Sequence, residues 1–301
     1  MSIPVTILGG FLGAGKTTAL NHLLRRGRER IGVLVNDFGA INIDAHLIEA
    51  AEADLVALSN GCVCCALGPD LGASLDRVAA RQPDRIVIEA SGVADPWRIA
   101  QLVRLEPGMT LDAVLVLADA TSFAAQSRDR YVADTVARQV ARADLVLLSK
   151  TDIATTAELH ASRAALLQLR PDVPVAEIHG GTLPDLVLGN PAPAGSRFVA
   201  DAPEHGFRTW LYRNDDAFDE DRLRQMLASL PSSVLRAKGF CRLGDIAQLH
   251  LLQLVGRRFT LAPWPHPAEP GLVLIGTDRM PADADLAAMF ERAKRPESPR
   301  P

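Results

Sequence analysis

The first residues able to do chemistry lie near the amino terminus, in the run Gly10-Phe11-Leu12-Gly13-Ala14-Gly15-Lys16-Thr17. The run fits the pattern Gly, four residues, Gly-Lys-Ser/Thr, between an apolar segment and an amphipathic one. Its glycines let successive backbone N–H groups face one anion, and the next helix adds its dipole. Lys16 can reach the β- and γ-phosphates, and the Thr17 hydroxyl can bind Mg²⁺. The spacing predicts a nucleoside-triphosphate site rather than a glycine-rich helix cap.

A second motif, Ser149-Lys150-Thr151-Asp152, follows a later apolar segment and predicts the base. An Asp here can accept hydrogen bonds from N1–H and the exocyclic amine of guanine, whereas adenine offers no such pair of donors. The apolar stem of Lys150 can lie along the purine face. The alternative is a turn in which Asp152 caps the next helix. Residues 177–181 either close over the base or form a plain Gly-Gly turn.

Two acidic residues at strand ends are candidates for organising Mg²⁺. Glu89 ends an apolar run and is followed three residues later by Gly92. In phosphate-loop proteins a carboxylate here holds Mg²⁺ through water, and a nearby glycine N–H contacts the γ-phosphate. Asp37 lies in a candidate switch loop near the metal, with a solvated turn as the alternative. The predicted catalytic set is therefore Lys16, Asp37 and Glu89, and Thr17, Asp37 and Glu89 are predicted to organise Mg²⁺.

Three of the four cysteines, Cys62, Cys64 and Cys65, lie within four positions of one another. Three thiolates so close can converge on one metal ion and leave a fourth tetrahedral position open. Soft thiolates select Zn²⁺ or Co²⁺ over Mg²⁺. Small buried residues or a redox pair are the alternatives, but the clustering favours a metal. Cys241 stands alone and is predicted to be a core residue.

Apolar runs alternate with amphipathic stretches through the first half of the chain, and this alternation predicts a doubly wound, mostly parallel sheet. The runs are continuous, as in strands covered on both faces. Predicted strands are 3–8, 31–35, 54–58, 84–88, 112–118, 144–149 and 173–178. Predicted helices are 16–26, 70–81, 96–104, 130–142 and 156–169.

Pro and Gly are dense in residues 188–206, which favours a linker. We predict a first domain over 1–187, a smaller α+β domain over 207–294 and a frayed tail over 295–301. Within the second domain, the predicted strands are 207–213, 233–237, 257–262 and 271–276. The predicted helices there are 219–229 and 283–294.

Composition limits the class of protein. The 301 residues carry a net charge of -4, which argues against a nucleic-acid binder. No apolar run approaches a membrane span. The clustered cysteines indicate a reduced compartment, so a cytoplasmic location is expected. The sequence leaves open the oligomeric state and the choice between zinc and cobalt.

Taken together, these motifs resemble those of CobW-type GTPases, which are kin to the HypB and UreG metallochaperones. The resemblance covers about residues 3–181, and 234–240 look like the signature of the CobW C-terminal domain. It implies that the cysteines carry a transition metal. The nucleotide set is predicted to be Gly10, Gly13, Ala14, Gly15, Lys16, Thr17, Thr18, Gly92, Ser149, Lys150 and Asp152. Departures are Ser149 in place of Asn, Ala40 in place of an acidic residue, and the lack of a His-rich loop.

We therefore expect a slow, Mg²⁺-dependent GTPase that couples the GTP or GDP state to binding a transition metal and delivering it to a client metalloprotein. A second hypothesis is a GTP-gated maturation or insertase subunit whose cysteines are only structural. A small-molecule kinase is a third class, and it would need an Arg-rich lid. Arg77, Arg81 and Arg85 are spaced like one solvated helix face, which argues against such a lid.

Overall fold

The computed structural model describes residues 2–25, 30–35, 54–57, 69–180, 207–213, 215–244, 249–265 and 267–295. The chain forms two compact units, residues 1–188 and 189–301, and each is described by itself. Several predictions lie outside the described residues. They concern Asp37, the cysteines Cys62, Cys64 and Cys65, the segment 188–206 and the end of the tail.

The first unit alternates strands and helices along the chain. Its strands are β1 (Ile3–Gly10), β2 (Ile31–Val35), β3 (Asp54–Ala57), β4 (Arg85–Glu89), β5 (Met109–Asp119), β6 (Leu145–Ser149) and β7 (Val175–Glu177). Its helices are α1 (Lys16–Arg25), α2 (Pro69–Ala79), α3 (Pro96–Val103), α4 (Phe123–Gln126), α5 (Ala133–Ala141) and α6 (Thr156–Leu169). Only the one-turn helix α4 lacks a counterpart among the elements predicted for these described residues.

The seven strands form one sheet in the order β3-β2-β4-β1-β5-β6-β7, and every pairing is parallel. The chain steps outward from β1 to β2 and β3, then returns through β4 and proceeds to β7. Because crossovers between parallel strands are right-handed as a rule, steps in both directions from β1 place helices on both faces. The strand order thus confirms the doubly wound fold. Because all strands run the same way, their carboxyl ends and the loops after them share one edge, where such sheets bind ligands.

A charged pair lies inside this largely apolar sheet. Arg85 Nη1 donates to Asp112 Oδ2 at 2.7 Å and to Thr6 Oγ1 at 3.1 Å, and Arg85 is fully buried. Asp112 is the extra residue where the β1–β5 register shifts, since Val5 pairs with Leu111 and Thr6 with Ala113. The prediction that Arg85 belongs to a solvated helix face is wrong. Helix α2 ends at Ala79, and Arg85 opens β4.

The second unit is a six-stranded sheet with helices, which confirms the predicted smaller α+β domain. Its strands are β8 (Phe207–Tyr212), β9 (Ala217–Phe218), β10 (Val234–Leu243), β11 (Leu249–Val255), β12 (Arg258–Trp264) and β13 (Gly271–Thr277). Antiparallel pairing gives the order β12-β11-β10-β13-β8, with β9 parallel to β10. Helices α7 (Glu220–Ser229) and α8 (Asp283–Ala293) pack on its core through Leu223, Leu227, Leu286 and Phe290.

Strands β9 and β11 were not predicted, and β10 is twice as long as expected. Lys238 and Arg242 interrupt the apolar run of β10, and Gly239 lies at its middle. The structure requires that glycine, because its φ is +153° and a Cβ there would lie 2.0 Å from the Gly271 carbonyl oxygen of β13. Two central strands thus approach more closely than a side chain allows.

None of the helices in the described ranges has the length and apolar character needed to cross a membrane.

Cys241 is predicted to resist thiol reagents in the folded protein. It is buried in the core of the second unit, and this burial raises the pKa of its thiol to about 12. The nucleophile is the thiolate, which such a pKa makes scarce at pH 8. In a variant with Ser at positions 62, 64 and 65, we expect iodoacetamide to leave Cys241 unmodified until urea is added, as measured by mass spectrometry. Rapid labelling of the native protein would contradict its burial.

Candidate functional site: a phosphate-binding loop and its surroundings

The loop between β1 and α1 takes a backbone path that only glycine follows easily. Gly10, Gly13 and Gly15 have φ values of +133°, +78° and +92°. A Cβ on Gly10 would lie 2.4 Å from the Leu117 carbonyl oxygen of β5, so that position has no room for a side chain. Around Gly13 nothing lies within 4 Å of an added Cβ, so the middle of the loop is open. The loop therefore presents backbone rather than side chains to a ligand.

The Lys16 side chain is held inside this loop. Its Nζ donates to the carbonyl oxygens of Gly10 at 3.0 Å and Phe11 at 3.3 Å, and the residue is buried. Lys16 is also the first residue of α1, so its charge adds to the positive end of that helix. Both features favour an anion within the loop.

The Thr17 hydroxyl meets the end of β4. Thr17 Oγ1 donates to Glu89 Oε1 at 3.0 Å, and Glu89 is buried. The parallel register places Glu89 beside Leu8, just before the loop begins. A hydroxyl and a carboxylate next to a phosphate-binding loop form the oxygen donor set that Mg²⁺ prefers. The residues present therefore fit the predicted ion. Thr18, the next residue of α1, is exposed.

Gly92 touches the phosphate loop directly. A Cβ on Gly92 would lie 2.6 Å from Leu12 Cδ2 and 2.9 Å from the Leu12 backbone nitrogen. Gln139 of α5 holds this segment in place, because its Nε2 donates to the carbonyl oxygens of Gly92 at 3.1 Å and Ala94 at 3.0 Å. Sequence reasoning missed Gln139, because a glutamine inside an amphipathic helix carries no signal of its own.

Ser149 ties the predicted base segment to the phosphate loop. Its buried hydroxyl donates to the Ala14 carbonyl at 2.8 Å and lies 3.2 Å from that of Ala118. Ala14, whose N–H donates to Phe11 O at 3.2 Å, is thereby fixed at both of its backbone polar groups. The serine found in place of the usual asparagine still connects the two motifs.

The next residues place Asp152 on the surface. Lys150 has a left-handed backbone at φ +56°, and Asp152 follows two residues later as an exposed side chain. The alternative in which Asp152 caps the next helix is wrong, because Thr155 caps α6 in a capping box with Glu158. The exposed carboxylate is available to a ligand.

Thr151 joins the base segment to the loop after β7. Its Oγ1 donates to the Ile178 carbonyl at 3.0 Å and lies 2.8 Å from His179 Nδ1. Of the other residues in the predicted closing loop, Glu177 pairs with Arg163 of α6, and Gly180 has a φ of +58°. The Thr151 side chain thus holds the loop after β7 beside the base segment.

Asp119 at the end of β5 is a second residue that sequence reasoning missed. Its Oδ2 accepts from Lys150 Nζ at 2.7 Å. The sequence does carry a signal for Asp119, and it is the signal that was used for Glu89: a carboxylate at the end of a buried strand that neighbours β1.

Among the described residues no group of three or more His, Cys, Asp or Glu could hold a metal, and the cysteine motif lies outside them.

We predict that Ser149→Ala weakens GTP and GDP binding by about threefold to tenfold, because one hydrogen bond that fixes Ala14 is lost. Isothermal titration calorimetry measures both affinities. Ser162→Ala is a matched control, since Ser162 is equally buried and donates to the Ala120 carbonyl at 2.8 Å without touching the loop. Equal losses of affinity in the two variants would show that Ser149 acts only through general stability.

A parallel sheet with a glycine-shaped phosphate loop after β1, a lysine within it and a hydroxyl–carboxylate pair beside it defines a P-loop nucleotide-binding protein. Residues 4–177 match the family described as "CobW/HypB/UreG, nucleotide-binding domain", and residues 207–294 match "Cobalamin synthesis protein cobW C-terminal domain". The chain belongs to the CobW/HypB/UreG family and is a GTPase.

Three curated relatives carry related names. Zinc chaperone CobW of Pseudomonas aeruginosa is 31% identical over 85% of this chain and 81% of its own length. Zinc chaperone YjiA of Escherichia coli is 38% identical, over 57% of this chain and 56% of its own. Zinc-regulated GTPase metalloprotein activator 1 of Dictyostelium discoideum is 26% identical, over 86% of this chain and 67% of its own.

Proposed function

We propose that this protein is a Mg²⁺-dependent GTP-hydrolysing metallochaperone, which couples its nucleotide state to the binding of a zinc ion and its delivery to a target protein. The observation that carries the proposal is the Thr17–Glu89 pair beside the Lys16 loop, in the same domain as the Cys62-Val63-Cys64-Cys65 motif. The names of the relatives favour zinc over cobalt as the cargo.

The phosphate loop and its neighbours supply the parts that hydrolysis needs. Lys16, already held by two loop carbonyls, would neutralise charge that develops on the transferred phosphoryl group. Thr17 and Glu89 would hold Mg²⁺, and Asp37 is assigned to the same neighbourhood. The ion held there would supply positive charge to neutralise the phosphates.

Guanine recognition is assigned to residues 149–152. The exposed Asp152 carboxylate would accept hydrogen bonds from N1–H and the exocyclic amine, and the Lys150 stem would support the purine face. Asp152→Asn should shift preference from guanine to xanthine nucleotides, because an amide N–H can donate to the xanthine 2-oxo group.

The metal cargo is assigned to Cys62, Cys64 and Cys65. Three thiolates leave one tetrahedral position open, so a client ligand can enter before the protein releases the ion. Binding of GTP would order the Asp37 loop and so join the phosphate site to the cysteines. Cobalt is the alternative cargo, since the same thiolates bind it.

A chelator-competition titration of Zn²⁺ and Co²⁺ tests the coupling, in Mg²⁺ with a GTP analogue and again with GDP. By linkage, a nucleotide-dependent metal affinity requires a coupling free energy between the two sites. We expect tighter zinc binding with the analogue, lost in Cys64→Ala and kept in Cys241→Ala, which removes the buried thiol instead. Equal zinc affinity in both nucleotide states would overturn the proposal.

One observation favours a second candidate, a GTP-gated subunit that docks a client metalloenzyme. Four large apolar side chains are 41–74% exposed, three of them in the loops after β1, β4 and β6 and one between α4 and α5. They are Leu12, Val93, Tyr131 and Ile153. Exposed apolar groups in the connections between strands and helices are typical of protein contacts when they form one patch. A client retained by Cys64→Ala but lost by Tyr131→Ser would favour docking without metal transfer, and the opposite pattern would exclude it.

A further inference from the structure

The Lys150 ammonium is anchored before any nucleotide arrives. Lys150 Nζ donates to Asp119 Oδ2 at 2.7 Å, and their side chains are 37% and 8% exposed. The two residues lie at the carboxyl ends of neighbouring strands, since Asp119 of β5 pairs with Ser149 of β6. The backbone of Lys150 is set at φ +56°. Both ends of the long lysine side chain are therefore fixed.

Asp119 is itself oriented for this contact. Its Oδ1 accepts from the backbone N–H of Thr121 at 2.9 Å and from Thr121 Oγ1 at 2.7 Å. Those two bonds fix one carboxylate oxygen and leave Oδ2 for Lys150. Burial raises the pKa of Asp119, but the hydrogen bonds from Lys150 and Thr121 outweigh it, so its pKa is lowered. The carboxylate is charged at neutral pH.

An unanchored lysine stem must lose rotamer freedom when a purine stacks on it. Fixing the ammonium beforehand removes part of this cost from the binding step, as preorganisation does in general. The gain in affinity is the same for GTP and GDP, because both nucleotides present the same base. The anchored Lys150 does not act on the γ-phosphate.

We propose that Asp119 is a positioning residue for guanine nucleotides, which holds the Lys150 stem as a preformed support for the purine. The inference rests on the proposed role of residues 149–152 in base binding. Asp119 would act on nucleotide affinity through Lys150 and not on bond cleavage.

A double-mutant cycle tests the route of action, with affinities measured by titration of GDP and a GTP analogue. Asp119→Asn should lower the affinities for GDP and for the GTP analogue by a similar factor of about three to ten. The kcat at saturating GTP should stay within about twofold of the wild-type value. In a Lys150→Met background, which keeps an apolar stem without the ammonium, the same change should have no further effect. An equal loss in both backgrounds, or a fall in kcat, would overturn the proposal.

A milder change guards against loss of folding. Thr121→Val removes one of the two hydrogen bonds that orient Asp119 and keeps the shape of the side chain. It should therefore lower the affinities for GDP and the GTP analogue by a smaller factor than Asp119→Asn does. An unchanged affinity in a folded Asp119→Asn protein would refute the positioning role alone, provided that Asp152→Asn still shifts preference to xanthine. If Asp152→Asn leaves base preference unchanged, the proposed base site itself fails.

Discussion

Lys16→Met is expected to lower kcat for GTP hydrolysis by about a hundredfold to a thousandfold, the usual cost of removing one preorganised group that stabilises transition-state charge. Methionine keeps most of the buried stem, so the loop retains its packing. The substitution removes only the ammonium that Gly10 and Phe11 hold within the loop. Phosphate release at saturating GTP and Mg²⁺ measures the effect.

The same substitution at Lys238, a half-buried lysine of the second unit, is the matched control. Lys238→Met removes one charge from the protein and should leave kcat within about twofold. If Lys16→Met keeps more than about a tenth of wild-type turnover, the assignment of transition-state stabilisation to Lys16 is wrong.

The second large effect concerns stability. Asp112→Ala should lower the free energy of unfolding by about 3–5 kcal/mol, because it leaves the charge of Arg85 buried without its carboxylate. Arg85 is fully buried and Asp112 is 4% exposed at the side chain, so water cannot replace the lost partner. Urea unfolding, with a check that the slope is unchanged, measures the difference.

Two comparisons make this result specific. Asp172→Ala removes the exposed partner of Arg170, at 3.3 Å, and should cost at most about 1 kcal/mol. Replacing both members of the buried pair, by Arg85→Met with Asp112→Leu, should destabilise less than Asp112→Ala alone, since neither charge then remains in the sheet. A small effect of Asp112→Ala would mean that water or another carboxylate reaches Arg85.

Features set by strand order and local spacing are the ones that the sequence predicts best. Residues 10–17 define the loop, and Glu89 could be placed beside it because parallel strands share their carboxyl edge. Arg85 shows where spacing misleads. Three arginines at intervals of four mimic one helix face, although Pro83 stands between Arg81 and Arg85 and favours a break.

Other features depend on pairing that no local pattern encodes. The extra residue at Asp112 is visible only once β1 and β5 are aligned. Lys150 and Asp119 meet across a 31-residue separation because β5 and β6 are neighbours. Strand β11 lies inside a sheet beside β10 and β12, and that placement supports a strand its own sequence signals weakly.

The two hydrogen bonds from Gln139 connect the Gly92 segment directly to helix α5. Gln139 is 2% exposed, so no water stands ready to replace the bonds it makes to Gly92 and Ala94. A shift of the whole segment from Gly92 to Ala94 toward a phosphate must break these bonds or carry Gln139, and with it α5, along. In the second case, the movement of one glycine also displaces the nine-residue helix α5.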